Sequence, residues 1–580
     1  MLSEQMIFKP AYEYKDDGIE HGVLSKFNPR TTILKAGTQL HPAVSPLKHD
    51  IKYLQDVGVN MRDGITIYVD IFLPPNLKPD EKVPVLIAWS PYGKTAGTAP
   101  RYINLFNMLG MGNKWSSGLT KFEGPDPDYW CSKGYSVCNP DPRGIARSKG
   151  NITMIGSQEA NDCYDLIEWL AVQDWCNGKT ALTGTSYLTF SQWFIAATQP
   201  PHLTCIAPHE GLQDAYRDIA YVGGIPDPNF LYRLQVNHVS STKGVLREDM
   251  IEEMKKYPLA NAELWKDKCA DCKKIKIPVF VSASYSNTLH TMGTFRAWRE
   301  MATYTWYTRM AWLLWWKNTE ERCKFFDYFL KNIENGWEKT PKVRYCLLDL
   351  EGGNKLNIKE DEFPPKNVIY KKFYFNALTR LLVNEPPPED KLLRYSPDGL
   401  PVRTSFQITF DEETSFLGYP KAKLFMECEG YDDMDVFVWV QKIDKRGNVL
   451  SEFVVPNHGA ALQDFTQDGA STLRYKGSHG KLRASMRHLD PEKSTEIIPY
   501  YTFDRVEKLS KGQIVELDIK LSPIGLTYYK DETLRIMISS HDEIGSIMPG
   551  TPGCIPDNKG THILHTGGKY GSYLQIPCLK

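Results

Sequence analysis

The sequence contains no run of about 18 uninterrupted apolar residues, so it offers no helix long enough to cross a bilayer. It also lacks the apolar core of a secretory signal, because Met1 to Met6 lead into a polar run through Lys15, Asp16 and Asp17. A surplus of either charge is missing too. Its 69 basic and 70 acidic residues leave a net charge of −1, which provides no field for nucleic acid or an anionic membrane. No internal repeat or low-complexity tract occurs. Among 12 cysteines, Cys269 and Cys272 form a CxxC with no second pair, whereas a zinc site ordinarily needs four ligands. Others, such as Cys205, Cys346 and Cys428, sit in apolar segments like free thiols of a reducing compartment. These absences lead us to expect a cytoplasmic protein with no metal, no cofactor, no nucleic acid and no membrane among its partners.

What is present suits a large globular chain. At 580 residues it exceeds a single core, so two or three domains are expected. Apolar residues make up 42% and charged ones 24%, an ordinary balance. Residues 1–50 are polar and broken by Pro10, Pro29, Pro42 and Pro46, and we expect an arm on the surface of a domain. Val57 to Phe72 reads as a hairpin turning at Arg62-Asp63-Gly64. Val83 to Trp89 is continuously apolar, the pattern of a strand buried on both faces, and it runs out into Ser90-Pro91-Tyr92-Gly93-Lys94. Tyr135 to Cys138 predicts another strand, and Glu159 to Val172 has helical spacing. Strands then alternate with helices, predicting a right-handed βαβ sheet interrupted by a polar, helix-rich insertion from about 211 to 273. After about residue 365 helical patterns nearly vanish, and short alternating strands such as Lys423–Cys428 and Asp435–Val440 predict an all-β sandwich.

The chemistry centres on Ala181 to Trp193. A small apolar strand runs into Gly184-Thr185-Ser186-Tyr187, and an amphipathic segment, Phe190 to Ala197, follows at once. This strand–turn–helix pattern is that of a nucleophile elbow, which lifts one serine hydroxyl above the sheet edge. The helix N-terminus stabilises negative charge at the same place. The second glycine usual in such an elbow is replaced by Leu188.

Together with Met61-Arg62-Asp63-Gly64, Ser90 to Lys94, Asp141-Pro142-Arg143-Gly144, Trp175 to Gly178 and Gln192-Trp193, this elbow resembles α/β-hydrolases of the cocaine-esterase and Xaa-Pro dipeptidyl-peptidase (CocE/NonD) type. The likeness runs from about residue 50 to 580. It implies an α/β-hydrolase domain, a mostly parallel sheet with helices on both faces and a helical cap insertion, plus a C-terminal all-β jelly-roll sandwich. The boundaries expected are an arm at 1–50, hydrolase core at 51–210 and 274–364, cap at 211–273 and jelly roll at 365–580. By position the resemblance makes Ser186 the nucleophile, with the Tyr187 N–H and the Tyr92 hydroxyl as oxyanion donors.

The other triad positions depart from the family pattern. The family acid falls on Asn287, and Trp312 to Thr319, where the family histidine belongs, contains none; Trp316 or Lys317 takes its place. The family glycine three residues after the serine is Thr189, which would crowd the turn. Asn287, His290 and Lys317 are therefore open as acid, base or orienting group, with His209, Trp193 and Trp316 as pocket residues. Two functions fit: a serine hydrolase or acyltransferase acting on a small ester, amide or thioester, or a non-hydrolytic descendant in specialised metabolism that cyclises, isomerises or eliminates. A non-catalytic binding protein is a third, weaker reading. Related enzymes often dimerise, so a homodimer is a further expectation.

Overall fold

The computed structural model describes residues 5–13, 27–98, 103, 116–237, 240–301, 305–309, 319–453, 474–544 and 553–580. An eleven-stranded mixed sheet organises the first half. Its strands are β1 (Arg30–Leu34), β2 (Ile51–Asn60), β3 (Thr66–Leu73), β4 (Val83–Ile87), β5 (Ser136–Asp141), β6 (Cys176–Thr185), β7 (Leu203–His209), β8 (Val279–Ala283), β9 (Thr305–Arg309), β10 (Val343–Leu347) and β11 (Lys355–Glu360). Their spatial order is β11-β10-β9-β8-β7-β6-β4-β5-β3-β2-β1. From β5 to β10 the neighbours are parallel, and the outer strands are antiparallel. All five residues of β4 are buried, as a continuous apolar run requires at the centre of a parallel sheet. The hairpin of β2 and β3 turns at the expected Asp63-Gly64, where Gly64 takes φ +82°.

Helices α1 (Ser157–Ala171), α2 (Tyr187–Ala197), α3 (Thr291–Glu300) and α4 (Thr319–Lys331) cover the sheet. Residues between β7 and β8 hold a π-turn at Tyr216–Ala220 and short helices at Asn229–Asn237, Met250–Lys256 and Glu263–Asp267. The polar start of the chain is more than a surface arm. Arg30–Leu34 joins the sheet as its edge strand, and Phe8–Pro10 pairs with Leu246–Glu248 of the insertion. An edge strand needs partners on one side only, so it can remain polar and half exposed.

The C-terminal half folds into antiparallel sheets of nine and five strands. It braces the hydrolase half directly. Leu348 bridges to Leu526, and Gly525 leaves room for the Tyr285 ring, which a Cβ there would meet at 2.2 Å. Tyr285 begins the turn that carries Asn287 and His290, so the second half backs the site described next. All 12 cysteines are free thiols, and no described helix is long and apolar enough to cross a membrane.

Candidate active site

Ser186 sits between β6 and α2 with φ 58° and ψ −119°. This left-handed conformation is costly for serine and marks a constrained turn. Its N–H donates to the Glu210 carbonyl at 2.8 Å, which helps hold the turn. Gly184 is obligatory: at φ +143°, a Cβ would stand 2.3 Å from Leu188 Cδ2 and 2.9 Å from the Glu123 carbonyl. Thr189 does not crowd the elbow as expected. Its hydroxyl lies 3.0 Å from the Gly184 and His209 carbonyls and accepts from the His209 N–H at 2.8 Å, tying β6 to β7. The space its methyl needs comes from Gly211, where a Cβ would approach Thr189 Cγ2 to 2.5 Å.

His290, at the start of α3, is the imidazole that meets the serine. Its Nε2 lies 3.1 Å from Ser186 Oγ, and both residues are buried. Asn287 Nδ2 lies 2.9 Å from His290 Nδ1. The amide orientation follows from its other partners, because Oδ1 accepts from the N–H groups of Leu289 at 3.1 Å and His290 at 3.2 Å. Asn287 therefore donates to Nδ1, and the neutral ring carries its proton on Nε2, facing Ser186. A general base needs the opposite tautomer, with Nδ1–H and a bare Nε2.

The group able to receive Nδ1–H charge is Glu210, which sequence reasoning passed over. Its Oε2 lies 3.8 Å from Nδ1; the residue is fully buried, and neither carboxyl oxygen has a hydrogen-bond partner among the described residues. An unpaired buried carboxylate is costly, and an imidazolium beside it relieves that cost. Glu210 also adopts φ 51°, so the backbone is strained where the two groups meet. Thr294 locks this corner, accepting from the Gly211 N–H at 2.8 Å and donating toward the His290 carbonyl at 2.9 Å. The available signal was position: Glu210 directly follows the strand beside the elbow strand, at the edge where parallel sheets gather ligands.

Tyr187 opens α2, so its N–H lies outside the intrahelical ladder. Its hydroxyl turns away and donates to Glu159 Oε2 at 2.7 Å. Burial pushes Glu159 up to about 7. Tyr92 packs edge-on to Tyr187 with ring centroids 6.0 Å apart, and its hydroxyl hydrogen-bonds the Glu123 carboxyl. Burial holds Glu123 well above the ordinary carboxyl range, and the hydrogen bond with Tyr92 pulls the other way. Lys94 anchors this loop through Asp56 at 2.7 Å and Asp70 at 2.8 Å, both buried.

The remaining candidates divide. His209 is buried at the end of β7, its carbonyl 3.3 Å from the Ser186 N–H. Trp193, expected at the pocket, is enclosed in the core with no exposure. Seven residues along a helix place it about 10 Å from Ser186 along the axis. Trp316 and Lys317 lie outside the described residues.

Comparison with known proteins agrees with this architecture. Residues 63–317 match the family model for X-Pro dipeptidyl-peptidase (S15 family), and residues 335–575 match the X-Pro dipeptidyl-peptidase C-terminal non-catalytic domain. The crystal structure of a CocE/NonD family hydrolase from Staphylococcus aureus superposes with TM-score 0.82 at 32% identity, covering 92% of this chain and 94% of that one. Cocaine esterase from Rhodococcus sp. (strain MB1 Bresler) is 32% identical over 162 residues, 28% of this chain. That match spans only 24% of the esterase's length. An α-amino acid ester hydrolase, 16% identical over 91% of this chain and 96% of that one, shares the fold with TM-score 0.66.

Proposed function

Because the chain belongs to the CocE/NonD family of hydrolases, we propose that it transfers the acyl group of a small ester, amide or thioester to Ser186. The observation that carries this reading is the 3.1 Å contact between Ser186 Oγ and His290 Nε2. In the reaction, the His290 proton first moves from Nε2 to Nδ1, toward the Glu210 carboxylate 3.8 Å away. Ser186 then attacks the carbonyl carbon as its hydroxyl proton passes to the bare Nε2, and the imidazolium faces Glu210. The Tyr187 N–H and Tyr92 O–H meet the tetrahedral oxyanion. Collapse returns the Nε2 proton to the leaving group, and water or another acceptor then releases the acyl group by the same steps. Glu210 supplies the charge that Asn287 cannot.

One observation favours a second reading. The Asn287 amide holds His290 in the tautomer that does not activate serine, as in a pocket that binds and polarises a carbonyl without acylation. Such a site would use its oxyanion donors on an enolate, for cyclisation, isomerisation or elimination in specialised metabolism. A fluorophosphonate probe separates the two. Acyl transfer requires labelling of Ser186 that Ser186→Ala abolishes. An unlabelled wild-type protein, or native turnover that survives Ser186→Ala, rejects it.

A further inference from the structure

A cavity opens between the hydrolase half and the β half, and Thr288 and Leu289, in the turn between Asn287 and His290, form part of its wall. It encloses about 1230 Å³, open solvent included, and Arg217, Arg296, Trp439, Tyr500 and Lys520 contribute to its wall. Ser186, Glu210, Tyr92 and His290 do not line it. Met292 and Arg296 on α3 give one face of that helix to the cavity, whereas His290 at its start turns to Ser186.

Most charges in this wall are already matched. Arg296 binds Asp218 through two hydrogen bonds of 2.8 and 3.0 Å. Arg217 pairs with Asp214 at 2.9 Å and donates to the Tyr501 carbonyl at 3.0 Å. Lys481 pairs with Asp542, and Glu543 with Arg403. Lys520 is different. It ends a strand of the β half, and its ammonium group has neither an ion pair nor a hydrogen bond among the described residues. Burial, with Arg296 and Arg299 as charged neighbours, holds its pKa well below the ordinary lysine value. Burial and these neighbours push the Lys520 amine toward its neutral form, since the nearby carboxylate, Asp218, is already bound by Arg296. A ligand carboxylate beside the amine would restore its charge.

We propose that this cavity binds a small organic anion with an apolar body, its carboxylate seated on Lys520 and its body against Trp439 and Tyr500. The aromatic walls supply the apolar contact, and Lys520 selects the charge. The proposal is independent of whether Ser186 reacts.

The test uses 2-naphthoate and its neutral counterpart 2-naphthylmethanol, with the full chain, by isothermal titration calorimetry. Naphthoate is expected to bind at least about tenfold more tightly than the alcohol, and Lys520→Met to remove that preference. Fluorophosphonate labelling of Ser186 should proceed at the wild-type rate in Lys520→Met. Equal affinity for acid and alcohol, no naphthoate binding at millimolar concentration, or unchanged naphthoate binding in Lys520→Met overturns the proposal. If Lys520→Met does not fold, Lys520→Arg is expected to keep the acid preference, and the acid–alcohol comparison on the wild type decides.

Discussion

Replacing Glu210 by glutamine tests the site at its most unusual joint. The substitution keeps the shape of the side chain and removes only its charge. With unit charges 3.8 Å apart and an effective dielectric of about 20, Coulomb's law gives about 4 kcal/mol for an imidazolium–carboxylate pair. Both side chains are at most 3% exposed, so salt screens the pair little. If the pair forms in the transition state, Glu210→Gln should lower kcat/KM for a nitrophenyl ester by about 10³-fold, with KM little changed. Fluorophosphonate labelling should slow in parallel. Asn287→Asp is the complementary change. Its one oxygen would keep the N–H groups of Leu289 and His290, while the other would accept Nδ1–H and favour the active tautomer, so turnover should rise. An unchanged kcat/KM in Glu210→Gln, where Ser186→Ala is inactive, would refute the role of the carboxylate. Loss of turnover in Asn287→Asp would refute the tautomer argument.

Three further outcomes are expected. Tyr92→Phe should lower kcat about 10²-fold with a small change in KM, measured on the same ester, because it removes one oxyanion donor. Gly184→Ala should abolish soluble, labelled protein, since its Cβ would collide with Leu188 and with backbone at Glu123. Glu159, raised from 4.5 to about 7 by burial, favours the folded state fully below about pH 4.5, and that contribution is lost as pH rises through about 7. The loss is on the order of 3 kcal/mol. Glu159→Gln should therefore flatten the fall of Tm between about pH 5 and pH 8 relative to wild type, and an unchanged slope would reject the assignment.

The elbow was legible because every part of it is local: a small apolar strand, Gly184, Ser186 and the helix that starts at Tyr187 lie in one stretch. The sheet was legible for the same reason, through continuous apolar runs such as Val83–Ile87. The edge strand Arg30–Leu34 was not, since a strand paired on one side carries no strict apolar alternation. At the site, the relation between Asn287 and His290 is local, three residues apart, yet its chemical meaning depends on which way one amide points. That direction is set by the N–H groups of Leu289 and His290, an Asx-type turn that residue identity alone does not orient. Glu210 is further from reach, because it meets His290 across 80 positions and only through the parallel register that sets His209 beside Ser282. A motif search asks which residue stands at the family's acid position and finds an amide. The fold asks which carboxylate reaches the imidazole, and the neighbouring strand supplies one. The exchange of an acid for Asn287 therefore need not remove the charge from the site, since Glu210 brings it to within 3.8 Å of Nδ1 while Asn287 selects the resting tautomer.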